Sequence, residues 1–254
     1  MKRHDLQSGR DHYNSLYEQE LHQEAQWLDY GAKSKTDSIE LLLRENHISP
    51  LSVLELGCGT GSILRELQRR HIGTDLIGID YSSAAIEYAR SVSHGIKYTQ
   101  ADIASTDPLL PHDHFDVIVI SHVLEHLEAP EQFLQAIHRI SFGVMIAEVP
   151  LEDLPVARIK TLIRDRKKNT AGHVNFFTAR SFNALLRSAG FQVSAHRRYF
   201  PLSSVEAIEF GAHRNHLSPL HLAFSKATGH YLPRYVPFWT YLYYGHYAVP
   251  CTKG

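Results

Sequence analysis

Two kinds of residue in this chain stand where chemistry could be done: glycines spaced two apart, and carboxylates at the ends of apolar runs. Residues 53–61 read VLELGCGTG, which sets Glu55 just ahead of Gly57, Cys58, Gly59 and Gly61. Glycine reaches positive φ at little steric cost, so this turn either brings a ligand against bare backbone or simply converts a strand into a helix. Asp80, in GIDYS, ends a second apolar run, where a carboxylate can accept from both hydroxyls of a ribose. Asp102 and Ile103, in QADI, end a third. One offers an acceptor for an exocyclic amine and the other an apolar face for an aromatic ring, a pairing that suits adenine. The alternative for both aspartates is capping of the helix that follows. A dinucleotide fingerprint needs its third glycine at position 62, where Ser62 stands, so the register does not suit a pyrophosphate.

Bringing these residues to one rim takes parallel strands alternating with helices. The runs LSVLELG, TDLIGID, GIKYTQAD, FDVIVIS and VMIAEVP are short and bounded by turn residues, as strands buried on both faces are. Between them, GSILRELQRR, SSAAIEYARSV and APEQFLQAIHRI carry a helical apolar period. That alternation predicts a doubly wound α/β sheet, whose ligands bind beyond the carboxyl ends of the strands. Residues 6–46 place Leu16, Leu21, Leu28, Ile39, Leu42 and Leu43 at helical spacing and read as helices covering one edge of the core. After Pro150 comes a charged insertion over 151–175, then a helix in TARSFNALLRSAG and one strand in FQVSAHRRYF. GHYAVPCTK reads as a last strand, and Pro250, which cannot donate to a ladder, favours the sheet edge for it.

Composition narrows the partners. The chain has 254 residues, a formal net charge of -1 and 43% hydrophobic residues, enough for a sizeable core and without the basic excess that tracks a phosphate backbone. The charge run from Arg164 to Lys168 reads as a solvated loop. Only Cys58 and Cys251 are present, too few for a disulfide framework, which fits a reducing cytoplasm. The N-terminal MKRHDLQSGRDHYN lacks the apolar core of a secretory signal, and no run is long enough to span a bilayer.

Taken in order, ELGCGTG, GIDYS, QADI and FDVIVISHVLEHL resemble the class I S-adenosylmethionine-dependent methyltransferases over roughly residues 50–200. The resemblance implies a Rossmann-like sheet of seven mostly parallel strands in the order 3-2-1-4-5-7-6, with helices on both faces and GHYAVPCTK as the antiparallel seventh strand. It implies S-adenosylmethionine as cosubstrate, with Glu55, Gly57, Cys58, Gly59 and Gly61 beside its methionine and ribose. Asp80 would hold the ribose hydroxyls, Tyr81 would lie on the adenine, Asp102 and Ile103 would hold its amine and ring, and Ser121 and His122 would sit near the sulfonium. The organisation that follows is an N-terminal helical cap over 1–48, a cofactor-binding core over 49–203, an aromatic-rich lid over 204–244 and a final strand over 245–254.

Methyl transfer asks an enzyme to align a nucleophile and remove its proton where it has one, and histidine is the natural base near neutral pH. His122, His126 and His173 reach the carboxyl edge; His126 reads as packing, and His173, in AGHVNFFT, is the leading base, with a structural role as the alternative. It follows an insertion, 151–170, expected to be mobile and to close over the pocket. A less favoured reading also comes from the resemblance: some ubiquinone-type and small-RNA methyltransferases hold a metal with E-x-x-E-H and a later histidine. Here the corresponding set is His122, Glu125, His126 and His173, with histidine in place of the first glutamate. On the acceptor side, Tyr231, Tyr235, Phe238, Trp239, Tyr241, Tyr243, Tyr244 and Tyr247 form either a core-completing cap, a pocket wall for a flat acceptor or a dimer face. Tyr13, Tyr17 and Trp27 could close the opposite wall. The expected acceptor is a small molecule, a secondary metabolite, quinone or sugar, methylated on oxygen or nitrogen by a monomer or homodimer; a module that binds the cofactor without turnover is the alternative.

Overall fold

The computed structural model describes residues 9–103, 113–151, 172–201, 204–236, 239 and 245–254, with backbone alone at 9–12 and 14. The 164–168 charge run, most of the 151–175 insertion, and Phe238, Tyr241, Tyr243 and Tyr244 lie outside the described residues.

Strands β1 (Ser52–Leu56), β2 (Asp75–Asp80), β3 (Lys97–Gln100), β4 (Phe115–Ser121) and β5 (Phe142–Leu151) run parallel. With β6 (Phe191–Val193), β7 (Arg197–Tyr199) and β8 (Gly245–Lys253) they form one sheet in the order β3-β2-β1-β4-β5-β8-β6, with β7 also on β8. The sequence expectation of a mostly parallel doubly wound sheet, its last strand antiparallel between the fifth and sixth, is what the fold shows. Side chains alternate across each strand. Leu54 and Leu56 of β1 enter one core with Ile118, Phe133 and Phe182, while Val53 enters the other with Val117, Leu42 and Leu64. Each fully buried leucine or isoleucine contributes roughly 1.5 to 3 kcal/mol relative to exposure.

Two local expectations are corrected. FQVSAHRRYF forms two short strands, because Ser194 to His196 oppose Val249 and Pro250 on β8 and the ladder is interrupted there. Pro250 has no N–H to offer; its carbonyl oxygen instead accepts from Ser194 N at 3.2 Å. β8 is therefore interior rather than at the edge, pairing β5 on one side and β6 and β7 on the other. A proline is tolerated inside the sheet because its neighbour breaks opposite it.

Helices α2 (Ser62–Arg69), α3 (Ser83–Val92), α4 (Pro130–Ile137) and α5 (Ala179–Ser188) cover the two faces. α1 (Gly9–Glu45) is a long helix broken at Glu20, where φ is -132°. Just past the break the buried Glu24 carboxylate pairs with Arg214 at 2.6 Å, and Arg214 also reaches Glu20 at 3.0 Å. This pins α6 (Val205–Arg214) onto α1, and Trp27 of α1 fills the space a side chain at Gly211 would need. α7 (Pro219–Lys226) and α8 (Leu232–Tyr235) continue the C-terminal segment. The sheet order reverses between β1 and β4, and the crevice beyond their carboxyl ends is where such a fold binds ligands.

Candidate active site

The glycine turn lies at that reversal. Gly57, Gly59 and Gly61 have φ of 76°, 51° and 76°, the left-handed region that glycine enters most easily. Gly57 N and Cys58 N donate to Ile79 O at 2.8 and 3.1 Å, folding the turn over the end of β2. Asp80 completes the clamp: its Oδ2 accepts from Gly59 N at 2.8 Å and its Oδ1 from Ser82 N at 2.9 Å. A carboxylate oxygen accepts more than one hydrogen bond, so the same group that shapes the turn can also receive ribose hydroxyls.

One cavity of about 590 Å³ collects these residues, a volume typical of small-molecule sites. Glu55, Gly57, Cys58, Gly59, Asp80, Tyr81, Asp102, Ile103, Ser121, His122 and His173 all line it. Gly61 is the exception to the sequence reading. It caps α2 and packs on Tyr98, whose nearest ring carbons lie 2.8 Å from where its Cβ would be, so its role is to make the turn. The bare backbone at Gly59 is likewise met by protein, since the Tyr17 hydroxyl lies 2.7 Å from its missing Cβ.

Tyr13, Tyr17 and Trp27 of α1 also line the cavity, with Tyr17 against the glycine turn, as do Phe200, Pro201 and Ala207. The described part of the aromatic stretch goes elsewhere: Tyr231 and Tyr235 are 51% and 79% exposed, and Tyr247 is buried in β8. Lys35, which sequence reasoning did not single out, lines the cavity, and its charge reaches Glu55, His122 and His246.

The histidines fall into two groups. Val174 N and Asn175 N donate to Glu125 O at 2.8 and 3.0 Å, and Asn175 Nδ2 donates to Leu124 O and Leu127 O. His173 is thus held beside the turn after β4 by its next two residues, while the 152–170 part of the insertion expected to close lies outside the described residues. Its ring packs edge-on against His126 at 4.9 Å between centroids. His126 Nδ1 lies 3.2 Å from Gly172 O, so that nitrogen carries the proton and Nε2 accepts from the Tyr13 hydroxyl at 3.4 Å. The four residues suggested as metal ligands do not converge. Glu125, His126 and His173 meet, whereas His122 turns its Nε2 to Glu148 and His246. Sequence reading passed over Glu148 and His246 as strand residues; a charged or imidazole side chain inside the apolar runs VMIAEVP and GHYAVPC was the available signal.

Glu55 is 2% exposed, and its Oε2 has no hydrogen-bond partner among the described residues. Burial pushes its carboxyl up to about 8, against the pull of Lys35. The folded chain therefore keeps a proton that the unfolded chain loses near pH 4.5, and this group's contribution to stability falls as pH rises toward about 8. A cationic ligand beside it favours the carboxylate, so binding below about pH 8 should release a proton. Calorimetry of S-adenosylmethionine binding in two buffers of different ionisation heat should show a release that Glu55→Gln loses. Equal release in both proteins would remove Glu55 from the linkage.

This structure fits a cationic nucleoside cosubstrate: an orphaned buried carboxylate oxygen, and an anchored Asp80 with Asp102 and Ile103. Known proteins agree. Residues 12–196 match a family model described as a methyltransferase domain. A trans-aconitate 2-methyltransferase of Acidovorax sp. (strain JS42) is 38% identical over 76 residues, 30% of each chain. The enzyme of the same name from Escherichia coli (strain K12 / DH10B) is 30% identical over 128 residues, 49% of each. The match thus spans half or less of these curated relatives. Among solved structures, the magnesium protoporphyrin IX methyltransferase of Synechocystis PCC 6803 with bound S-adenosylhomocysteine superposes with a TM-score of 0.56 at 16% identity, covering 88% of this chain and 84% of that one. With the glycine turn, Asp80 and the strand order all in place, the chain belongs to the class I S-adenosylmethionine-dependent methyltransferases.

Proposed function

We propose that this chain transfers the methyl group of S-adenosylmethionine to an oxygen or nitrogen of a small-molecule acceptor. The observation that carries the reading is the single cavity shared by the glycine-turn residues and a wall of aromatic and imidazole side chains. Glu55 would face the cationic end of the cosubstrate, Asp80 the ribose, Tyr81 and Ile103 the adenine faces and Asp102 its amine. The cosubstrate supplies an electrophilic methyl on a sulfonium with a neutral thioether as leaving group. Tyr13, Tyr17 and Trp27 exclude water and hold the acceptor in line, which is the larger share of the work in a displacement of this kind. His173 takes the acceptor's proton, and Lys35 offers a cation for a carboxylate. Relatives named for trans-aconitate and for ubiquinone biosynthesis support a small acceptor, and secondary metabolites, quinones and sugars are the classes to test. The enzyme would act as a monomer or homodimer in the cytoplasm, where the free, buried Cys58 and Cys251 stay reduced. Among the described residues no helix is long and apolar enough to cross a membrane.

The test follows S-adenosylhomocysteine release against a panel of carboxylic acids, phenols, sugars and amines. Saturable release with one class, and its methylated product by mass spectrometry, is the expected result. Tight cosubstrate binding with no turnover on any member would leave a binding module instead.

A further inference from the structure

We propose that His122, Glu148 and His246 form a binding site for one divalent transition-metal ion at the floor of the cavity. The three come from the end of β4, from β5 and from β8, and none of the motifs that mark the cosubstrate site requires the last two. His122 Nε2 lies 3.2 Å from Glu148 Oε1, His246 Nδ1 lies 3.2 Å from the same oxygen, and the two nitrogens are 3.3 Å apart. These are the edges of a nearly equilateral triangle. Ligand atoms bound at about 2.0 to 2.1 Å in a tetrahedron stand about 3.3 Å from one another, so the spacing of the three atoms matches a Zn²⁺-sized ion, and the two rings, 4.3 Å apart between centroids, would splay to aim both nitrogens at it.

Hydrogen bonding reaches most of this cluster, since His246 Nδ1 also lies 3.2 Å from the Tyr199 hydroxyl, but not all of it. Tyr199, at 2.8 Å, joins the two imidazoles on Glu148 Oε1, with Ser121 at 3.5 Å, while Glu148 Oε2 is buried with no hydrogen-bond partner among the described residues. If both imidazoles donate to Oε1, two N–H groups also face each other across 3.3 Å. A cation replaces both protons and leaves Tyr199 as the donor to the carboxylate. With His122 Nε2 on the ion, its Nδ1 lies 3.3 Å from Glu125 Oε1, a carboxylate near enough to serve as the outer partner of a metal-bound imidazole. Burial lowers both imidazoles below their usual range; it would raise Glu148, but the hydrogen bonds from His122 and His246 outweigh it and hold the carboxyl low. Neutral imidazoles and an ionised carboxylate are the protonation states a metal requires. Two nitrogens favour Zn²⁺, Co²⁺ or Ni²⁺ over Mg²⁺. His122 and His246 line the cavity, so a remaining coordination position faces it, as in sites that take an oxygen ligand.

The probe is Co²⁺, titrated into tag-free full-length protein stripped with chelator and followed by its visible ligand-field absorption. One equivalent should bind with the intense spectrum of a four- or five-coordinate ion, displaced by Zn²⁺. Glu148→Gln and His246→Gln should weaken binding at least about 100-fold, while His126→Asn, in the neighbouring cluster, should leave it unchanged. Circular dichroism and S-adenosylhomocysteine affinity confirm that each variant is folded. Absence of stoichiometric binding to the wild-type protein overturns the proposal. So does a site abolished by His126→Asn and retained in His246→Gln, which would place the ion among Glu125, His126 and His173. The readout is independent of methyl transfer, so it stands or falls separately from that activity.

Discussion

Replacing Asp80 with alanine should weaken S-adenosylmethionine binding by roughly 2 to 4 kcal/mol, tens- to several-hundred-fold in affinity. The carboxylate is 7% exposed, and its two oxygens hold Gly59 N and Ser82 N, so its removal strips the acceptor from two buried amides as well as from the ribose. The same change should therefore lower stability, by roughly 1 to 3 kcal/mol for each donor left unsatisfied. Asp80→Asn separates the two effects. It keeps the size of the group and one good acceptor, but its amide NH₂ faces one of the backbone N–H groups, so binding should fall between the wild type and the alanine variant. Isothermal calorimetry beside a thermal melt reads both quantities. Unchanged affinity in the alanine variant would take Asp80 out of the cosubstrate site.

His173→Gln should lower kcat by roughly 10² to 10⁴ while leaving cosubstrate affinity nearly unchanged. Glutamine reaches about as far and still hydrogen-bonds, but it cannot accept a proton at neutral pH. The backbone bonds from Val174 and Asn175 to Glu125 O lie beyond the substituted side chain, so the turn that presents residue 173 stays in place. A loss of kcat and binding together would assign His173 a structural part. Normal turnover with an unaltered pH profile would leave alignment alone, or His122, to carry the reaction.

Much of this molecule is legible in its sequence because the relevant physics is local. A strand, a glycine turn and a helix follow one another within residues 52–69, and the positive φ that Gly57, Gly59 and Gly61 supply is a property of each residue by itself. Alternating short apolar runs and helical periods dictate parallel strands, and parallel strands bring Glu55, Asp80, Asp102 and Ser121 to one rim without further information. The N-terminal aromatics Tyr13, Tyr17 and Trp27 were legible as a wall, since helical spacing sets them on related turns of α1.

Only the tertiary structure decided which distant side chains meet. The meeting of His122 with His246 spans 124 positions and depends on the register of β8 against β5, which the strand order expected from the sequence does not give. Gly61 packs on Tyr98 rather than lining the cavity, and Lys35, which no motif marks, lines it. His173 belongs to the same class: backbone hydrogen bonds from Val174 and Asn175 to Glu125 O hold it beside a turn far earlier in the chain. Periodicity reports which face of an element is apolar. It carries no record of which element packs against that face, and the site's imidazoles and carboxylates are assembled by that packing.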